Sequence, residues 1–431
     1  MRKLILLLSF LLPSLLALPA TAQNQNEHWV STWGNATVLA IDPPLDWVRP
    51  PPASEQRQAD APPPPPSPIP PVPTELNNQT VRMIVRSSVA GERVRLQFAN
   101  AQGLAPVQFG AVHVALHGEG SAIVAVSNHA LTFGGLPTVT LFPGSLVVSD
   151  PVELPVSALT ELVVSVYLPK VTDARTSHAL GLNTTYIVEG NQVAAAAMPD
   201  ATTNRSYFWL TGVEVQAAAT AGTIVAFGDS ITDGFSTTAD EHREWPALLA
   251  ERLQAGSRTT QLGVINMGIS GNRVLQTVTG QSALARFDRD VLARGGVRWI
   301  VLLEGINDIN FTALPGAPES QHATAEGIIA GLSQLVERAH AHGIKVMGAT
   351  MTPMGGLWLF NDKTETMRQQ VNQWIRTSGK YDALVDFDAV TRDPQKPGYL
   401  KAEHDSGDHI HPNDAGNAAM ARAIDVTAFL R

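Results

Sequence analysis

The sequence contains no cysteine, so disulfides, thiolate catalysis and cysteine-based zinc sites are all excluded. It has no basic excess either: the formal net charge is −9, without long runs of either sign. A nucleic-acid or anionic-membrane partner needs a basic footprint, and none is present. Beyond the N-terminus, no segment approaches the roughly 20 apolar residues that span a bilayer. Two catalytic signatures are also missing. Gly-x-Ser-x-Gly, the nucleophile elbow of one large hydrolase class, occurs nowhere, and His-Glu-x-x-His, a zinc-hydrolase signature, is absent.

What is present falls into successive stretches of a 431-residue chain, long enough for two or more domains. Met1-Arg2-Lys3 precedes an apolar run from Leu4 to Leu18, and Ala20-Thr21-Ala22 offers small residues where a signal peptidase reads. Residues 1–22 therefore read as a secretory signal peptide, which predicts a secreted or periplasmic protein without a membrane anchor. Residues 23–219 read as a β-sandwich or jelly-roll-like domain. From Thr80 to about Val215, short apolar stretches recur between Gly, Pro, Asn and Asp punctuation. In "RVRLQFAN", Val94, Leu96 and Phe98 alternate with Arg95 and Gln97, the period of a half-buried strand. The Pro-rich segment 42–74, with "APPPPPSPIPPVP", cannot make a packed core and reads as an extended insertion or spacer.

From residue 220 the pattern changes to apolar strands alternating with helices, as in a parallel sheet covered on both faces. Strands are expected at Thr223–Phe227, Val264–Ile269, Trp299–Leu303, Ile344–Ala349 and Leu384–Phe387. Helices are expected in "WPALLAERLQA", "SALARFDRDVLAR", "ATAEGIIAGLSQLVERAHAHG" and "ETMRQQVNQWIRTSG". A last helix is expected after Pro412, which suits a first helical position because its missing N–H has no partner there. Ligands of such sheets bind beyond the carboxyl ends of the strands.

Ser230, in "AFGDSITDGF", lies just beyond the first strand. Gly228 and Asp229 read as a turn, and Ser230 as either the cap of the next helix or a nucleophile. The second strand leads to Gly271 in "NMGISGNR", the third to Asn307 in "LLEGINDIN", and "SGDHIHPND" puts Asp408 and His411 before the last helix. Together these residues make a hydrolytic set. A serine hydroxyl attacks only if a base takes its proton. His411 can be that base, and Asp408 can fix its tautomer. The N–H groups of Ser230 and Gly271 and the Asn307 amide can receive the oxyanion, each donor contributing about 100- to 1,000-fold in rate.

These motifs resemble the SGNH hydrolases, the GDSL family of esterases and lipases. Its blocks are matched in order by "GDSITDG", "NMGISGN", "GIND" and "DHIHP", over about half the chain, from Thr223 to Arg431. The resemblance implies a flavodoxin-like three-layer α/β/α domain, nucleophile Ser230, oxyanion residues Ser230, Gly271 and Asn307, acid Asp408 and base His411. Family members often have Gly where this chain has His409. His404 and His409 are rival bases, but only His411 fits Asp-x-x-His-Pro. The first half, with "STWGNA", also resembles the β-rich domain preceding the catalytic domain in secreted bacterial GDSL proteins.

Smaller expectations follow. Asp229 is read as holding its turn, and Glu304 as bracing the "GIND" loop or as a local structural partner. Trp358 and Phe360 are candidates for the substrate pocket. Trp29, Trp33 and Trp47 are read as core rather than as a sugar-stacking surface. A metal site from His404, Asp405, Asp408, His409, His411 and Asp414 lacks ligands from other strands. The expected protein is a secreted serine esterase without cofactor or metal, acting on short-chain or O-acetylated saccharide esters. A longer-chain lipase or lysophospholipase, and a carbohydrate-binding protein with a vestigial hydrolase half, are the alternatives. A histidine base must be neutral to act, so turnover should fall as pH drops through the imidazole range, about 6.5.

Overall fold

The computed structural model describes residues 27–39 and 72–431. The expected signal peptide, most of the Pro-rich segment and Trp47 lie outside the described residues.

Antiparallel pairing of short alternating segments builds the first half. Gln79–Arg86, Ala111–Leu116 and Glu161–Leu168 form the middle of a six-stranded sheet, flanked by His129–Ala130, Thr185–Glu189 and Thr202–Asn204. A five-stranded sheet contains Trp29–Gly34, Leu210–Gln216, Gly91–Ala99, Leu146–Val148 and Val152–Val156. Val94, Leu96 and Phe98 from this sheet share one core with Val81, Met83, Val85, Leu162, Val164 and Val166 from the other. The pair is a sandwich. Phe98 meets Phe109 edge-on at 5.2 Å between ring centres, and truncating such a side chain costs about 3–5 kcal/mol.

The polar face of the Phe98 strand departs from the half-buried pattern. Gln97 is only 5% exposed, because the second half of the chain covers that face. Arg294 donates to Gln97 Oε1 and to the Thr211 carbonyl, each at 2.9 Å. Alternation alone could not distinguish a face covered by polar contacts from a solvated one.

The second half is built on five parallel strands: Gly222–Gly228, Leu262–Gly268, Val297–Leu303, Lys345–Ala349 and Ala383–Val385. In space they run second, first, third, fourth, fifth. Their apolar runs are buried between helices, among them Trp245–Gln254, Ala325–Ala341, Asp362–Thr377 and Asp414–Ala423. Three local expectations change. The Asp386 carboxylate accepts from Ala389 N at 3.0 Å, so Phe387 opens a short helix, Phe387–Thr391, instead of ending the fifth strand. The "SALARFDRDVLAR" segment is an α-turn, Ala283–Phe287, continued by a π-helical stretch, Asp288–Leu292. Pro412 stands one residue before the cap of the last helix, since Asn413 accepts from Gly416 N at 3.0 Å.

Strand order reverses between the first and third strands, and a crevice at such a switch point is where open α/β sheets bind ligands. The two halves meet through side-chain bonds. Thr223 Oγ1 donates to Ser31 O at 3.0 Å, and Val264 N donates to Ser88 Oγ at 2.9 Å. Among the described residues, no helix is long and apolar enough to cross a membrane.

Candidate active site

The first parallel strand ends at Gly228 in a space only glycine fits. A Cβ there would lie 2.2 Å from Thr232 Oγ1 and 2.4 Å from the Leu303 carbonyl oxygen. Asp229 then caps a one-turn helix, Ser230–Asp233, by accepting from Ile231 N at 3.0 Å. The cap is Asp229, which leaves the Ser230 hydroxyl free to face the rim. Burial pushes the Asp229 carboxyl up to about 7.

His411 reaches Ser230 from the loop before the last helix. Its Nε2 is 2.8 Å from Ser230 Oγ, and its Nδ1 is 2.5 Å from Asp408 Oδ2. The other Asp408 oxygen accepts the N–H groups of Ile410 at 3.1 Å and His411 at 2.9 Å. Burial alone would raise the Asp408 carboxyl, but the bonds and charge of His411 hold it well below the usual carboxylate range. The Phe235 ring packs on the imidazole with centres 4.3 Å apart. The rival histidines are engaged elsewhere. His409 Nδ1 sits 2.7 Å from Asp405 Oδ2, and His404 is buried, with its pKa lowered by desolvation.

Gly271 and Asn307 share this rim. Among the described residues, the backbone N–H groups of Ser230 and Gly271 have no protein acceptor. One hydrogen of the Asn307 amide goes to Asn272 O at 3.0 Å, which fixes the amide and leaves its second hydrogen for a ligand. Gly271 has φ +80°, a conformation that favours glycine.

The loop carrying Gly271 is pinned from several sides. Asp308 accepts from Val274 N at 2.7 Å and Leu275 N at 3.1 Å, and burial pushes its carboxyl up to about 6. Arg286, wholly buried, donates to Asn272 Oδ1 at 2.9 Å, Met267 O at 2.7 Å and Gly228 O at 2.9 Å. It therefore ties the ends of the first two strands to the loop. Glu304 accepts from Gly305 N at 3.2 Å and lies 3.5 Å from Arg286, and burial raises its carboxyl well above the ordinary value. Nothing in the sequence marks Arg286 among its neighbouring arginines, whereas Asp308 adjoins Asn307 and is readable from that position.

Ser230, Gly271, Asn307 and His411 line one cleft of about 280 Å³. Its wall is apolar, with Phe235, Phe311, Leu314, Leu357, Leu359 and Ile410. Trp358 and Phe360 are not part of that lining: Trp358 is half exposed, and Phe360 packs on Tyr399 with ring centres 5.8 Å apart. In this loop the leucines beside the aromatics, Leu357 and Leu359, reach the cleft. Trp33 packs edge-on against Tyr207 at 5.0 Å, and Arg95 lies over Trp29 at 4.4 Å.

A serine, an imidazole and free N–H donors at the switch point of a parallel sheet are the apparatus of an ester hydrolase. Residues 226–419, a little under half of the chain, match the GDSL-like Lipase/Acylhydrolase family, which supports a carboxylic ester hydrolase. Among solved structures, it is similar to a lipolytic protein of the G-D-S-L family from Desulfitobacterium hafniense, with 22% identity over 47% of this chain and 99% of that one, TM-score 0.35. It is also similar to an acetylxylan esterase from Geobacillus stearothermophilus, with 24% identity over 48% and 94%, TM-score 0.37. A GDSL-like lipase from Bacteroides thetaiotaomicron matches with 20% identity over 50% and 91%, TM-score 0.36. Likeness at these scores says nothing about substrate. No curated protein matches the chain.

Proposed function

We propose that the protein is an exported serine esterase for short-chain carboxylic esters, with O-acetyl groups on saccharides as the natural candidates. Ser230 Oγ attacks the ester carbonyl while its proton passes to His411 Nε2. The carbonyl oxygen, now negative, accepts from the N–H groups of Ser230 and Gly271 and from the free Asn307 hydrogen. Collapse of this intermediate expels the alcohol, which takes the proton from His411 and leaves an acyl-serine. Water then attacks the acyl group, again giving its proton to His411, and the acid departs as Ser230 is restored. Asp408, held ionised, stabilises the imidazolium in both halves of the cycle.

The observation that carries this reading is the unbroken chain Asp408–His411–Ser230, with contacts of 2.5 and 2.8 Å. The small, apolar-walled cleft supports a short acyl group. The apolar run after Met1-Arg2-Lys3 supports export.

Hydrolysis of p-nitrophenyl esters of increasing chain length tests the chemistry, using wild type, Ser230→Ala and wild type with a chelator. The expected result is activity that is greatest on acetate or butyrate, survives the chelator and is lost with Ser230. Activity rising toward long chains would replace the short-acyl reading with a lipase, and activity surviving Ser230→Ala would remove the serine mechanism. The N-terminal sequence of protein recovered from the periplasm or medium tests export, with Gln23 expected first.

A further inference from the structure

We infer that the β-rich half supplies a positioning residue to the hydrolytic site: His178 holds Asp233, and Asp233 holds the loop that presents the Gly271 N–H. The inference rests on the esterase reading above. His178 belongs to a short strand, Thr176–His178, of the β-rich half and is 5% exposed. Its Nε2 is 2.8 Å from Asp233 Oδ1, and its Nδ1 is 2.8 Å from the Ala36 carbonyl oxygen. Asp233 ends the one-turn helix that Ser230 begins. The other Asp233 oxygen accepts from Ser270 N at 2.9 Å and from Ser270 Oγ at 2.7 Å. Ser270 immediately precedes Gly271.

Asp233 thus bridges the nucleophile's helix to the oxyanion loop, and His178 sets the rotation of its carboxylate. A carbonyl oxygen can only accept, so Nδ1 carries a proton. With Nε2 also donating to the carboxylate, the ring is an imidazolium locked between two acceptors. A carboxylate free to rotate would release Ser270, and with it the N–H of Gly271, which has to meet the developing oxyanion. Small displacements of such groups cost up to about 100-fold in rate. His178 therefore acts on turnover more than on substrate binding, although it never touches substrate.

Amide replacements separate the two bonds of the ring. In His178→Gln the new amide nitrogen can occupy the place of Nε2 and keep the bond to Asp233. In His178→Asn the shorter side chain brings its nitrogen only to the place of Nδ1. The experiment measures kcat and KM on p-nitrophenyl acetate for the full chain carrying His178→Gln, His178→Asn, Asp233→Asn or both Asp233→Asn and His178→Asn, with folding checked by thermal melting. His178→Asn is expected to lower kcat by about 10- to 100-fold with KM changed by less than about 3-fold. His178→Gln is expected to recover most of that loss, and His178→Asn to add less than about 2-fold in the Asp233→Asn background. Equal kcat for the two amide variants, or additive losses in the double variant, would overturn the inference. Were His178→Asn unable to fold, a kcat for His178→Gln as low as that of Asp233→Asn would overturn it instead. The esterase reading fails separately, through retained activity in Ser230→Ala.

Discussion

Two aspartate–histidine pairs serve the same rim, and they differ in what the second ring nitrogen faces. His411 turns its Nε2 to the Ser230 hydroxyl, a group that can give up a proton. His178 turns its Nδ1 to the Ala36 carbonyl, a group that cannot. Exposure differs too: the side chain of His411 is 15% exposed and the side chain of His178 is 7% exposed. For His178, burial lowers the pKa but the charge and hydrogen bond of Asp233 outweigh it, leaving a net rise. On the proposed mechanism, the same two residue types make a proton acceptor in one place and a fixed brace in the other. The neighbour of the far nitrogen decides which.

The sharpest way to break this comparison is to neutralise each carboxylate. Asp408→Asn is expected to lower kcat by on the order of 1,000- to 10,000-fold, since an amide cannot stabilise the imidazolium or keep its tautomer. Asp233→Asn is expected to cost only about 10- to 100-fold on the same ester. Equal losses would mean that the pairs do the same work. Next in size, Arg286→Met is expected to lower the free energy of unfolding by about 3–5 kcal/mol in urea titrations. It removes the buried cation beside Glu304 and the donors to the Met267 and Gly228 carbonyls, while Asp290 keeps Arg289 at 2.7 Å. Asn307→Ala should reduce kcat by about 100- to 1,000-fold, or roughly 3–4 kcal/mol of barrier, with a small change in KM. A dominant effect on KM would move Asn307 from oxyanion contact to ground-state binding.

The smallest effect concerns another carboxylate–imidazole cluster, one that makes no bond to Ser230 or His411. Glu161 lies 2.6 Å from His117 Nδ1 and 2.7 Å from His242 Nε2, joining the β-rich half to the loop before Trp245. The bonds from His117 and His242 hold Glu161 well below its ordinary 4.5, so its contribution is present above that pH and lost as pH falls through the lowered value. The Glu161 bond raises His117 above 6.5, so the histidine's contribution is present below 6.5 and lost as pH rises through the raised value. Both act together between about 4.5 and 6.5. Glu161→Gln should therefore destabilise by about 1–2 kcal/mol near pH 6, discounted for the partial exposure of Glu161, and by less near pH 9. A loss that does not vary with pH in thermal melts would show that packing, not the ion pair, is what Glu161 supplies.

Much of this was legible in the sequence because local chemistry dictates it. Parallel strands buried on both faces read as apolar runs, and all five begin and end within two residues of expectation. Ser230, Gly271, Asn307, Asp408 and His411 are visible because each follows a strand or precedes a helix in a short motif. Other features depend on distant chain. His178 gains its meaning only from Asp233, 55 residues away. Arg286 sits in a helical stretch rich in arginine, and only the convergence of strand ends above it singles it out. Trp358 and Phe360 drew attention by size, yet it is Leu357 and Leu359 that line the cleft. Side-chain direction in an irregular loop has no periodicity to read.

The strand Trp29–Gly34 has a consequence for how the protein is made. It pairs antiparallel with Leu210–Gln216, the strand that closes the β-rich half, and receives Gly295 N on Ser31 Oγ at 3.0 Å from the far half. A ribosome delivers this strand well before either partner. Until they emerge, its edge and its apolar Val30 have nothing to cover them. Such long-range closure slows folding and exposes an unpaired edge meanwhile, so the joining of the two halves waits on a contact between residues 264 positions apart.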